Sequence, residues 1–153
     1  MATDLAPNEA LIMASDIQDK MSLISRVICL MLDSDVYLPD TLYNIKKQLI
    51  GPIFQDQALI MVRDGKVVAY CSWAFLTEEA EKRYIADSNS LQVTDWKGGD
   101  RVWLVDVIAP FNDGTRLLNA TRKLGQKLGH TGKKIKFKSY KTARSFDIRE
   151  VRL

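Results

Sequence analysis

Residues 101–110 read RVWLVDVIAP, a run of β-forming residues with one carboxylate, Asp106, in its middle. Such a run predicts a central strand. An ionised carboxylate buried there without partners costs several kcal/mol or takes up a proton. On a regular strand Asp106 points away from Val105 and Val107 and shares a face with Leu104 and Ile108, a polar island within an apolar stripe. One reading is a structural acid satisfied by backbone N–H groups or by Arg101. The other is a carboxylate with a chemical task.

The elements around this strand follow from periodicity. Ser15 and Gln18 have capping-box spacing, and Ile17, Met21, Ile24, Ile28 and Met31 recur at helical intervals, which predicts a helix over 16–32. A second helix carries Leu42, Ile45 and Leu49 and stops before Gly51-Pro52. QALIMVRDGKVVAYCSWAFL, residues 57–76, outlines a hairpin turning at Asp64-Gly65. Thr77 caps a short helix, 101–110 form the third strand, and GTRLLNATRKLGQKLG is an amphipathic helix with Leu117, Leu118, Thr121, Leu124 and Leu128 near one face. KKIKFKS alternates charged and apolar residues and predicts a fourth strand. The expectation is an α+β fold, one domain over 1–153, with a mixed central sheet flanked by helices.

At 46% hydrophobic and 27% charged residues the composition is that of an ordinary globular chain. No stretch reaches the ~18 apolar residues of a membrane span. The start, MATDLAPNEA, is not a signal peptide, so the expected location is the cytoplasm. Cys29 and Cys71 read as reduced core thiols, and no metal-ligand spacing occurs. The net charge of +3 conceals an asymmetry: residues 116–153 hold 12 Lys+Arg against 2 Asp+Glu, the preceding 115 hold 10 against 17. A basic last quarter on an acidic body calls for an acidic partner.

The stretch from Val68 to Phe111 is more specific: VAYCSWAFLTEEAEKRYIADSNSLQVTDWKGGDRVWLVDVIAPF. AYCSWA, a Glu-rich stretch with Tyr84, SL, DW, GDR, a Trp, an Asp and IAPF occur in order. This resembles the RTX toxin-activating lysine acyltransferases of the hemolysin-activator type. The resemblance implies an N-acetyltransferase-like fold whose sheet splays in the middle. It also implies transfer of a fatty acyl group from acyl-acyl carrier protein, a phosphopantetheine thioester serving as donor substrate with no cofactor bound, to the ε-amine of a lysine in a target protein. It further implies catalysis by a His near the N-terminus and an Asp on the central strand.

Asp106 falls on the family's Asp position, where a carboxylate can accept the ammonium proton or orient the amine. The position of the family's His is occupied by Tyr37. Its phenol can protonate the departing thiolate; equally, it reads as a packed loop aromatic of a lapsed enzyme that acts as a carrier- or target-binding protein. Ser34 in the same loop reads as a turn residue, and His130, the single His, as an exposed helix-end residue favoured by the dipole. The three tryptophans read as core. Asp113, with only one Gly beside it in APFNDGTRLL, disfavours a pyrophosphate at the third helix and hence free coenzyme A. Arg122, Lys133 and Lys134 are the candidate carrier-protein contacts. Nucleic acid ranks behind carrier protein as partner, since aromatic interleaving is thin, and a homodimer stays open.

Overall fold

In the computed structural model, which describes residues 5–34, 42–142 and 145–153, one six-stranded mixed sheet organises the chain. Its strands, in spatial and sequence order, are β1 (Glu9–Met13), β2 (Ala58–Arg63), β3 (Lys66–Leu76), β4 (Arg101–Ile108), β5 (Lys134–Thr142) and β6 (Ser145–Arg152). All neighbours are antiparallel except β4 and β5. The helices are α1 (Lys20–Leu32), α2 (Leu42–Phe54), α3 (Glu78–Ala86) and α4 (Gly114–Gly125), the last forming the crossover between the parallel pair.

Apolar periodicity assigns the helices to faces. Leu23, Val27 and Leu30 of α1 and Leu49 and Ile53 of α2 pack with Ile60, Tyr70 and Ile108 on one face. Ala80 and Tyr84 of α3 extend that face over Trp103, Ala74 and Leu76. On the other face Leu117 of α4 packs on Cys71, Trp73, Val102, Leu104 and Ile135. The Asp64-Gly65 turn has positive φ at both residues (50° and 74°), the requirement of a two-residue hairpin turn matched to strand twist.

Several boundaries differ from the sequence reading. The first helix starts at Lys20, because Asp19 rather than Ser15 caps it, accepting the Ser22 amide. The Ser15 region is a short tight turn after β1. The second helix runs on through Gly51-Pro52 to Phe54. Pro52 there forfeits a single ladder bond near the helix end, and Gly51 lets the Trp96 ring lie against the backbone, where a Cβ would come within 2.4 Å of its Nε1. Cys71 is buried as expected, but Cys29 is on the exposed side of α1.

Candidate active site

β4 and β5 pair only at Val102↔Ile135, Trp103↔Lys136 and Leu104↔Phe137. Beyond that point β4 continues to Ile108 and β5 to Thr142 without a further rung, so the sheet opens into a split. The local cause is a bulge. Ser72 faces Asp106 and Trp73 faces Leu104, leaving Val105 as an extra residue on β4. A bulge bends its strand and re-aims the following side chains.

The bulge corrects one expectation. Leu104 packs on the α4 face, whereas Asp106 follows its partner Ser72 to the opposite face, with Ile108 and Tyr70. The strand's alternation is broken at the point where the carboxylate is placed. Asp106 is 8% exposed and sits beside the split. Arg101, considered as its ion partner, instead serves Glu81: Nη1 donates to Oε2 at 2.7 Å. Trp103 Nε1 and Lys136 Nζ donate to the other Glu81 oxygen at 2.7 and 2.8 Å. Burial opposes ionisation of Glu81, but these bonds and charges prevail and hold it below the usual carboxylate range.

Two phenols face the Asp106 region. Tyr70 is fully buried on β3 and Tyr84 nearly so on α3. Burial, and secondarily the negative charge of Asp106, push both well above the usual tyrosine value. Both therefore stay protonated at neutral pH and available as donors. Tyr84 also ties the two banks of the split together. Its hydroxyl lies 3.5 Å from the Val105 carbonyl on β4, while its own carbonyl and ring hold Lys138 of β5. The Lys138 ammonium donates to Ser88 Oγ at 2.7 Å and lies 4.1 and 4.4 Å from the ring centroids of Tyr84 and Phe146. Burial lowers its pKa to about 8, with the Asp87 charge opposing.

That value predicts a pH effect. Between about 8 and the ordinary lysine value near 10.5 the unfolded chain binds the proton and the folded chain does not, so folding gains stability as pH rises. Below pH 8 the ammonium is charged in both states and its burial cost is fully present. The stability of Lys138→Met relative to wild type should therefore fall by on the order of 2 kcal/mol between pH 7.5 and 10.5 in denaturant titrations. A pH-independent difference would contradict the assignment.

At the open end of the split, α4 starts under a neutralised cluster. The buried Asp113 carboxylate accepts from Arg63 Nη2 at 2.8 Å and Arg116 Nη1 at 3.2 Å, and the same guanidiniums hold Glu9 of β1. Hydrogen bonds from Arg116, the Ala6 amide and Arg63 keep Glu9 far below the usual carboxylate range. A carboxylate at this helix start is a poor seat for a pyrophosphate.

The remaining candidates separate. Arg122, Lys133 and Lys134 are exposed, and Lys134 pairs with Glu150 at 2.8 Å. Lys133 and Lys134 lie level with the beginning of β4, on the order of 15 Å along the strand from Asp106, whereas Arg122 follows Thr121, whose hydroxyl meets Cys71 Sγ at 3.1 Å at the level of Val107. Ser34 has a turn role, its amide donating to the Met31 carbonyl at the end of α1. Tyr37 lies outside the described residues. His130 is half-buried rather than exposed, its ring 5.4 Å from that of Phe75 across the wide turn that follows α4. Trp96 and Trp103 are fully buried core, whereas Trp73 walls a cleft on the α4 face. Sequence reasoning passed over Tyr70, Ser72 and Lys138. The signal for them was the pairing of AYCS with the Asp106 segment, which alternation alone does not supply.

The described residues thus form an α+β domain whose mixed sheet splits beside a buried strand carboxylate. Residues 16–151 match the RTX toxin acyltransferase family, and the chain belongs to that family. It is 38% identical over 107 residues to an RTX-II toxin-activating lysine-acyltransferase of Actinobacillus pleuropneumoniae, covering 70% of this chain and 67% of that one. It is 41% identical over 106 residues to a protein-lysine myristoyltransferase of Kingella kingae, covering 69% and 64%. A protein-lysine myristoyltransferase of Escherichia coli is 42% identical over 85 residues, covering 56% and 48%. The matched stretches thus span between about half and two thirds of these relatives. No helix among the described residues is long and apolar enough to cross a membrane.

Proposed function

We propose that this chain transfers a fatty acyl group from the phosphopantetheine thioester of acyl carrier protein to the ε-amine of a lysine in a toxin-like target protein, in an N-acetyltransferase-type split. The observation that carries the reading is Asp106, re-aimed by the Val105 bulge onto the edge of the only opening in the sheet among the described residues. The names of the relatives support the reaction class, and the occupied start of α4 supports a donor held by a carrier protein over free coenzyme A.

The chemistry sets each group's task. The target ammonium gives one proton to Asp106, and the freed amine attacks the thioester carbonyl. The C–N bond forms and the C–S bond breaks; the thiolate takes the phenolic proton of its donor, and the second proton of the nitrogen restores that phenol. Tyr70 and Tyr84, kept protonated, polarise the wall around the carboxylate without competing for its proton. Tyr37 is the proposed donor to the thiolate. If so, Tyr37→Phe lowers turnover with carrier binding intact, and Tyr37→His keeps or raises it. A wild type that is inactive while Tyr37→His is active would instead establish a lapsed enzyme.

Arg122, Lys133 and Lys134 steer the acidic carrier from the basic last quarter. The double reversal Lys133→Glu, Lys134→Glu should slow association several-fold at low salt and converge with wild type at high salt. Unchanged association at every ionic strength would remove these residues from carrier recognition. The direct test of the whole reading is the intact mass of a lysine-bearing target incubated with the protein and acyl-loaded carrier. A gain of one acyl group on a lysine is expected, and no gain at any target lysine contradicts it.

A further inference from the structure

The β4–β5 ladder ends at Leu104↔Phe137, so Val105 and Lys138 are the first residues of the two free banks. Both meet one residue of α3. The Tyr84 hydroxyl lies 3.5 Å from the Val105 carbonyl, and the Tyr84 carbonyl and ring hold the Lys138 ammonium. A strut from α3 thus stands in the fork of the split.

Lys138 is the one buried basic side chain among the described residues. The Tyr84 carbonyl is one of the last four of α3, which lack a partner within the helix and lie at the negative end of its dipole. The Lys138 ammonium, reaching from β5, caps it. Ser88 Oγ, in the turn after α3, accepts from the same ammonium at 2.7 Å and meets the Tyr140 hydroxyl at 3.0 Å. Phe146 of β6 completes the cage, with its ring centroid 4.4 Å from Nζ. A cation held by two oxygens and two aromatic faces is fixed at one point, where an apolar side chain would be free to slide. A methionine of similar length would fill the space without the burial penalty that brings the lysine's pKa down to about 8. The ammonium therefore costs stability and supplies geometry.

We infer that Lys138 is a positioning residue that sets the opening of the split, holding the β5 bank against α3 and, through Tyr84, at a fixed distance from the bulge that aims Asp106. The inference rests on the acyl-transfer reading above and adds to it the group that holds the bank facing the carboxylate. Lys138 acts through that bank and not on the reacting atoms. Its part is to keep a thioester lying between the banks in line with the attacking amine, where a misplacement of about 1 Å costs on the order of 10²-fold in rate.

The test uses the full chain with two readouts: amide hydrogen exchange at 138–142 in the free protein, and single-turnover transfer from saturating myristoyl-carrier protein to a lysine-bearing target. Lys138→Met at pH 7.5 should melt no lower than wild type, exchange faster at 138–142 and transfer ~10-fold more slowly or worse. Lys138→Arg, which keeps a cation at the helix end, should recover most of the rate. Ser88→Ala removes one oxygen of the cage outside the core, and should move both readouts the same way by less; it carries the comparison if Lys138→Met does not fold. Folded variants with wild-type exchange at 138–142, or with faster exchange and wild-type transfer, overturn the inference. Faster exchange in the variants, with no acyl transfer by wild type, would uphold the strut and refute the acyl-transfer reading instead.

Discussion

Asp106→Asn should melt with the wild type and yet transfer acyl groups ~10²-fold more slowly or worse in single turnover, the scale of a lost acid–base group. The amide is nearly isosteric and keeps most hydrogen bonds, so packing against Ile108 and Tyr70 is preserved. What it cannot do is accept the ammonium proton. The negative charge that raises Tyr70 and Tyr84 also disappears, so both phenols should titrate at lower pH in the variant. A purely structural acid predicts the reverse pattern: a lowered melting temperature, with activity falling only in step with the folded fraction. A destabilised but fully active Asp106→Asn would end the catalytic assignment.

Trp103→Ala should cost about 4 kcal/mol, near the centre of the range for deleting a buried Trp. Trp103 is fully buried, stacks edge-on with Tyr84 at 5.2 Å between centroids, donates to Glu81 and underlies the Lys136 ammonium. Its loss leaves a cavity under α3 and loosens the helix that spans both banks of the split. The midpoint of urea unfolding should drop with little change in slope. Because Tyr84 then lacks its packing partner, acyl transfer by the folded fraction should fall as well. A cost under ~1 kcal/mol would show that α3 is held by other contacts.

The legible parts of the sequence were those whose signals are local. Asp64-Gly65 announces a turn because few residue pairs accept two positive φ values in succession. Thr77 caps α3 through the Ala80 amide, as its spacing suggests. The amphipathic stripe of α4 likewise placed Leu117 and Thr121 in the interior. What was not legible depended on pairing partners. β1 and β6 are edge strands; β6 is exposed at nearly every position and carries no strong hydrophobic pattern, and β1 is a five-residue, mainly apolar run too short to show alternation. Two N-cap candidates, Ser15 and Asp19, compete four residues apart, and the backbone entering from β1 favours the second. The face of Asp106 was misjudged relative to Leu104 because a bulge adds a residue without any mark in the composition. For the same reason the split itself was expected only through family resemblance. Where the β4–β5 ladder stops is a property of two strands, not one.

The proposal that the donor thioester enters the split beside Asp106 is tested most directly by amide hydrogen exchange, with and without a molar excess of myristoyl-carrier protein and no lysine target present. The account predicts slowed exchange at residues 105–109 and 138–142, the two unpaired banks. Protection confined to the basic end at 122–134, with both banks unchanged, would contradict it.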